Sequence, residues 1–284
     1  MQERKVAIAL PASVVSDIPH LREKTSKVGL IGRAAAIFRI DQIIVYPDNP
    51  KADQTREMNL VATLLSYMET PQYLRKRLFR LEPELRYAGI LPPLRTAHHP
   101  LNRMMKRLNV DEYREGVTLS KNREGTFVDV GVERPAIIQD EQLPVGKRVT
   151  VKIRRIATQI EAQTVNRNEI PDFWGFSVTK EDHPLSKILK NRDFELIIAT
   201  SKYGIPFSDV ASEISDRWMR AKAVLLVFGA PNMGLQEIIG CDGLDLKDLA
   251  DFIVNTIPSQ GTETVRTEEA IVASLAVLNT PLHC

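Results

Sequence analysis

The run Ala223-Val-Leu-Leu-Val-Phe-Gly229 is apolar from end to end. A strand with one wet face alternates polar and apolar residues, so an unbroken run predicts a strand buried on both faces, as in a parallel sheet flanked by helices. The run ends at Gly229, and Ala230-Pro231-Asn232-Met233-Gly234 is a breaker-rich turn opening a short helix over 235–239. A second apolar strand is expected over 251–257, closed by Pro258-Ser259-Gln260-Gly261, where glycine permits a left-handed backbone. Thr262 to Arg266 then leads into a final helix starting at Thr267-Glu268-Glu269. Two glycine-punctuated loops therefore follow two parallel strands, at the sheet edge where open α/β folds bind ligands. Neither loop carries a dinucleotide or P-loop glycine pattern.

The rest of the chain extends this α/β rhythm and interrupts it once. Strands are expected over 5–10 and 42–46, with helical composition over 32–40 and a helix start near Ser16-Asp17. Amphipathic helices are expected over 59–67 and, strongly basic, over 71–85. After Leu91-Pro92-Pro93 the pattern turns to short alternating strands between about 113 and 165, the signature of a small antiparallel barrel, with an OB-like fold the first choice. The α/β pattern then returns, with an edge strand at 176–179, a helix at 185–191, a buried strand at 194–200, a turn at 201–206 and a helix at 209–221. The expectation is an α/β domain in two pieces, 1–90 and 167–284, with a barrel inserted at 91–166.

Three stretches carry a family resemblance. Phe228-Gly-Ala-Pro-Asn-Met-Gly-Leu235 and Ile257-Pro-Ser-Gln-Gly-Thr-Glu-Thr264 resemble the second and third motifs of the SPOUT class of S-adenosylmethionine-dependent RNA methyltransferases, and Gly29-Leu-Ile-Gly-Arg33 resembles the first. The wording from Asn255 to Ala270 is closest to an archaeal and eukaryotic SPOUT family. The resemblance implies a trefoil knot, a homodimer, and S-adenosylmethionine held by three loops. These supply Thr200, Tyr203 and Gly204; Phe228, Gly229, Ala230 and Gly234; and Asn255, Thr256, Ile257, Pro258, Gly261, Thr262, Thr264 and Val265. It makes Arg33 the catalytic side chain, orienting the nucleophile or its phosphate. Lys27 and Arg266 stand where ribose-methylating relatives have asparagine, and Pro231 where they have glutamate. Base methylation is thus at least as well supported as ribose 2′-O-methylation. Glu263 is available as an acid or base, though a loop glutamate is as a rule solvated.

The formal net charge of +2 does not announce a nucleic-acid binder, so the RNA expectation rests on local clusters. Arg75 and Arg77, then Lys147, Arg148, Lys152 and Arg154, are the candidate RNA contacts, with Tyr113, Phe127, Phe173 and Trp174 as possible stacking partners. The target class is rRNA or tRNA. The two cysteines, Cys241 and Cys284, fit a reducing cytoplasm, and the N-terminus is too short and too soon broken by proline for a signal peptide. No metal is expected: His98 and His99 are adjacent, and His20, His183 and His283 are isolated. No apolar stretch approaches a membrane span. A catalytically silent RNA-binding scaffold and a protein methyltransferase are the alternatives.

Overall fold

The structure, a computed structural model, describes residues 4–191 and 193–280; His283 and Cys284 lie outside them. In chain order its principal elements are β1 (Lys5–Pro11), α1 (Leu21–Ile37), β2 (Gln42–Tyr46), α2 (Thr55–Glu69), α3 (Gln72–Leu78), β3 (Tyr113–Asn122), β4 (Gly125–Asp129), β5 (Ala136–Gln139), β6 (Arg148–Ile156), β7 (Ile160–Thr164), β8 (Ser177–Lys180), α4 (Leu185–Lys190), β9 (Leu196–Pro206), α5 (Phe207–Arg220), β10 (Ala223–Val227), α6 (Leu235–Gly240), β11 (Phe252–Asn255) and α7 (Thr267–Asn279). They form two compact units. One takes in the described residues of Met1–Ser66, Glu84–Pro92 and Phe176–Cys284; the other comprises Tyr67–Pro83 and Pro93–Gly175.

The first unit holds a six-stranded sheet in the order β11-β9-β10-β1-β2-β8, with every pair parallel. Its central strands are buried on both faces: Val224 to Val227, Leu196 to Ala199 and Ala7 to Leu10 are all inaccessible to solvent. That is why their sequences do not alternate. The basic helix expected over 71–85 is shorter, because Phe79 leaves helical geometry at φ −115° and ψ 135°. The chain then stays out of helix as far as Glu82, whose successor Pro83 disfavours it there. The first helix starts at Leu21 rather than near Ser16, after the one-turn segment Ala12–Val15.

The second unit is a closed five-stranded barrel, ordered β3-β4-β5-β7-β6 and completed by the β3–β6 pair. All its pairings are antiparallel except β5 with β7. Alternation sorts the side chains: Val151 and Ile153 of β6 enter a core with Val128, Ile138, Ile160 and Ala162, while Arg154 faces solvent. Helix α3 packs on β3, and Tyr73 donates its hydroxyl proton to the Glu115 carbonyl at 2.8 Å. Gly131, at φ +82°, lies flat against the Tyr73 ring, where a Cβ would stand 2.7 Å from ring carbons. These contacts group residues 67–83 with the barrel.

Candidate functional site

The carboxyl ends of β9, β10 and β11 enclose a cavity of about 670 Å³. Three loops build it, and each is tied to a neighbour by a side chain reaching a backbone group. Thr200 Oγ1 donates to the Val227 carbonyl at 3.0 Å, and Asn255 Nδ2 to the Lys202 carbonyl at 2.9 Å. Tyr46, at the end of β2, donates its phenolic hydrogen to the Phe228 carbonyl at 2.7 Å. Burial, with the Asp48 carboxylate adding to it, pushes the Tyr46 pKa well above its ordinary value, so the phenol stays protonated and remains a donor.

Helix α7 closes the site. Thr267 Oγ1 donates to the Gly229 carbonyl at 3.3 Å, and the Thr256 and Ser274 hydroxyls meet at 2.7 Å. Glu269 accepts from the Arg266 amide at 3.0 Å, satisfying a donor at the helix start. At the short helix α6, Glu237 likewise accepts from the Gly234 amide at 2.9 Å.

The loop after β9 differs from the expected turn over 201–206. Extended backbone geometry continues through Pro206, and the β9–β11 register jumps: Ile253 pairs with Ala199, but Val254 pairs with Ile205. The intervening residues 200–204 bulge out of the ladder, and Thr200 and Tyr203 line the cavity. Gly204 does not line it. A Cβ there would fall 2.6 Å from the Val254 carbonyl carbon and 2.7 Å from the Ile253 oxygen, both backbone atoms. Gly204→Ala is therefore expected to destabilise the protein by about 1–3 kcal/mol. Urea unfolding with an unchanged midpoint would contradict that close packing.

Of the other residues expected at the cofactor, Phe228, Gly229, Ala230, Gly234, Asn255, Thr256, Ile257, Thr264 and Val265 line the cavity. Pro258, Gly261 and Thr262 do not, nor does Glu263, the available acid or base. The left-handed residue of that loop is Ser259, at φ 57°, rather than Gly261. Gln260 staples the loop by donating to the Thr262 and Glu263 carbonyls. Among the lining residues that sequence reasoning passed over, Thr267, Ala270 and Ser274 share one face of α7. Their i, i+3, i+7 spacing was the available signal.

Arg33 lies half-buried on α1 and is not part of the cavity wall. Lys27, on the same helix, is buried and pairs with Asp17 at 3.2 Å. Its ammonium is also 3.2 Å from Glu268 of α7, an ion pair that falls outside hydrogen-bond geometry. Lys27 thus braces α1 against α7.

In the barrel unit the basic residues divide. Lys147 and Arg154 are exposed, as is Arg77, which pairs with Asp129 at 2.7 Å. Lys152 is partly covered, pairing with Asp111 at 2.9 Å over the Tyr113 ring. Arg75 is turned to its own backbone, donating to the Thr70 and Met68 carbonyls and stacking on Tyr67. Arg148 is ion-paired within the unit: its guanidinium is held between the buried carboxylates of Glu69 and Glu115. Trp174 is buried too, with Nε1 donating to Glu115. Phe127, Phe173 and Tyr113 are partly exposed.

Among the described residues no group of three or more His, Cys, Asp and Glu side chains is placed to hold a metal ion, and no helix is long and apolar enough to cross a membrane.

Residues 5–278 match the family described as "Putative RNA methyltransferase". An uncharacterized protein of Halobacterium salinarum is 35% identical over 96% of this chain and 98% of its own length. The 28S rRNA (uridine-N(3))-methyltransferases of Homo sapiens and Mus musculus are each 33% identical over 96% of this chain, and over 77% and 75% of their own lengths. With the match spanning every strand of both units, this chain belongs to that RNA methyltransferase family.

Proposed function

We propose that the protein transfers a methyl group from S-adenosylmethionine to a base of ribosomal RNA, namely N3 of a uridine. The observation that carries this reading is the cavity at the carboxyl ends of β9, β10 and β11, two of whose loops, after β10 and β11, bear the second and third motifs of the resemblance. Its volume of about 670 Å³ falls within the range of about 300–1,000 Å³ that small-molecule sites take. Phe228, Met233, Leu235, Ile257 and Val265 give it apolar surface for an adenosyl group, and Thr200, Gln260 and Thr264 add polar groups. The choice of N3 is supported by the names of the mammalian relatives, and a base rather than a ribose target by Lys27 and Pro231 at the positions that distinguish ribose-methylating enzymes.

When bound, the sulfonium would supply an electrophilic methyl group. What the protein must add is alignment of the attacking nitrogen, exclusion of water and a destination for its proton. The loop ties through Thr200, Asn255, Tyr46 and Thr267 hold such a site in shape before any ligand arrives.

The trefoil knot belongs to the same reading. Its support is the path of α7, which lies against the loop after β10 through Thr267 and against the segment after β11 through Ser274. A homodimer is supported by apolar side chains exposed along α1 and α7, Leu30, Ile37 and Val272. In that assembly Arg33 would act at the partner's cavity, consistent with its place outside its own. The barrel, with an OB-like strand order, would carry the RNA, with Arg77, Lys147, Lys152 and Arg154 as phosphate contacts. A cytoplasmic setting belongs to the same reading, and its support is the sparse cysteine.

Incubation with methyl-labelled cofactor and unmodified large-subunit rRNA transcript is expected to place label in 3-methyluridine after digestion to nucleosides. The label should resist protease and be released by nuclease. Label that resists nuclease and falls to protease would instead favour a protein substrate, and tight cofactor binding with no transfer would favour a silent scaffold.

A further inference from the structure

A second cavity, of about 290 Å³, opens beside the first. One side is formed by the loops after β1 and β2, through Ser13 and Ser16 and through residues between Asp48 and Glu57. Its other side is Ala230, Asn232 and Met233, which also line the larger cavity. The loop after β10 is therefore a common wall. Both cavities sit at the carboxyl edge of the same parallel sheet.

The smaller cavity is polar and anionic. Asp48, Asp53 and Glu57 contribute carboxylates, Asn49 and Gln54 amides, and no lysine or arginine lines it. A phosphate would meet only like charge there. A neutral planar ring with N–H and C=O edges meets complementary groups, and the volume suits one small ring system rather than a second cofactor.

The three carboxylates are not equivalent. Asp48 is buried and accepts from the Ser13 amide at 3.0 Å, the Ser13 hydroxyl at 2.6 Å and Gln54 Nε2 at 3.0 Å, so it braces the two loops together. Asp53 accepts from the Thr55 amide at 3.0 Å, at the start of α2. Glu57, in the first turn of α2 and half-buried, has no hydrogen bond or ion pair among the described residues. It is the carboxylate left to accept a proton.

We propose that this cavity receives the acceptor nucleobase, flipped out of its RNA, and that Glu57 is the catalytic base that takes its N–H proton. The proposal rests on the methyltransferase reading above and names the half of the site that reading leaves open. Flipping is what enzymes acting on a base require, and the anionic wall admits the base while keeping its phosphates outside. For uracil, the N3–H bond breaks with its proton going to the Glu57 carboxylate. N3 uses the freed pair to bond the methyl carbon, and the carbon–sulfur pair stays on sulfur, leaving a neutral thioether product.

Two variants test it: Ala52→Trp, which fills the cavity from the exposed loop after β2, and Glu57→Gln, which keeps shape and removes the base. Both are expected to bind S-adenosylmethionine in calorimetry as the wild type does. With rRNA transcript carrying 4-thiouridine, wild-type photocrosslinks should map to peptides containing residues 13–16 or 49–57. Ala52→Trp should lose the crosslink and the methyl transfer together. Glu57→Gln should keep the crosslink and lower kcat about 100- to 10,000-fold, with Glu57→Asp recovering part of the loss. Wild-type rates in Ala52→Trp, or crosslinks confined to the barrel, would overturn the assignment and leave the methyltransferase reading intact. A wild-type protein that transfers no methyl group to RNA would overturn both.

Discussion

Gly229→Trp is expected to abolish S-adenosylmethionine binding, weakening it by at least about 100-fold, or roughly 2.8 kcal/mol. Gly229 follows the buried end of β10, and its backbone is held from two sides: Tyr46 donates to the Phe228 carbonyl, and Thr267 to that of Gly229 itself. The segment therefore has little freedom to swing away. A Cβ at this position points toward the loop wall, 3.2 Å from the Met233 oxygen and 3.4 Å from the Leu235 nitrogen. Gly229 lines the cavity of about 670 Å³ that the proposed adenosyl group needs, so an indole added there is expected to take up part of that space. The fold should survive, because the residue lines a cavity and does not fill a core. Calorimetry would read the affinity, and circular dichroism with a thermal midpoint would check the fold. A folded variant that binds within threefold of the wild type would remove the cofactor from this cavity. Absence of binding to the wild type at millimolar cofactor would instead leave the RNA-binding scaffold as the better account.

The stretches that could be read in advance are those whose structure is dictated locally. Ala223 to Val227 and Leu196 to Ala199 are unbroken apolar runs because both faces are covered, and that condition leaves its mark on every residue. The barrel strands were visible for the complementary reason, since Val151 and Ile153 go inward while Lys152 and Arg154 do not. The loops after β10 and β11 were legible as glycine and proline punctuation, and most of the cavity wall followed from them.

What escaped depended on partners distant in the chain. The bulge over residues 200–204 exists because β11 changes register at Ile253/Val254, some fifty positions later. No feature of Ser201 to Pro206 announces it, and a local reading of its glycine and proline gives a turn. The second cavity was hidden for the same reason. Ser13 lies on one stretch and Asp48 to Glu57 on another, and the two meet because β1 and β2 are neighbours in the sheet. The ion pairing of Arg148 was hidden in the same way. Basic residues on a strand read as a nucleic-acid surface, and nothing nearby in sequence reveals that Glu69, 79 positions earlier, faces this one.

Arg148→Met is accordingly expected to destabilise the barrel unit by about 3–5 kcal/mol, the cost of removing one partner from a buried ion pair. The guanidinium donates to Glu69 at 2.7 and 3.1 Å and to Glu115 at 2.5 Å, and those carboxylate side chains are only 5% and 2% exposed. Glu115 also accepts from Thr150 and Trp174, and Glu69 from Arg167 at 3.0 Å, so neither carboxylate can turn to solvent without breaking further bonds. Burial alone would raise the Glu69 pKa; Arg148, aided by His98 and Arg167, reverses that and holds it below its ordinary value. With a depressed folded-state pKa, this carboxylate stabilises the wild type above the unfolded value of about 4.3, and the contribution is lost as pH falls through the folded pKa. Without Arg148 the desolvation dominates and the folded-state pKa moves upward. The variant is then penalised as pH rises, and its deficit should shrink as pH is lowered from 8 toward 5. Urea unfolding followed by Trp174 fluorescence, with Trp218 of the other unit replaced by phenylalanine, reads this unit alone. Adding Glu69→Gln should recover part of the loss, because a neutral amide costs less to bury than an unpaired carboxylate. If Arg148 were an RNA contact, the single variant would keep its stability within about 0.5 kcal/mol and lose RNA affinity. That result would restore the reading of this residue that its sequence suggests.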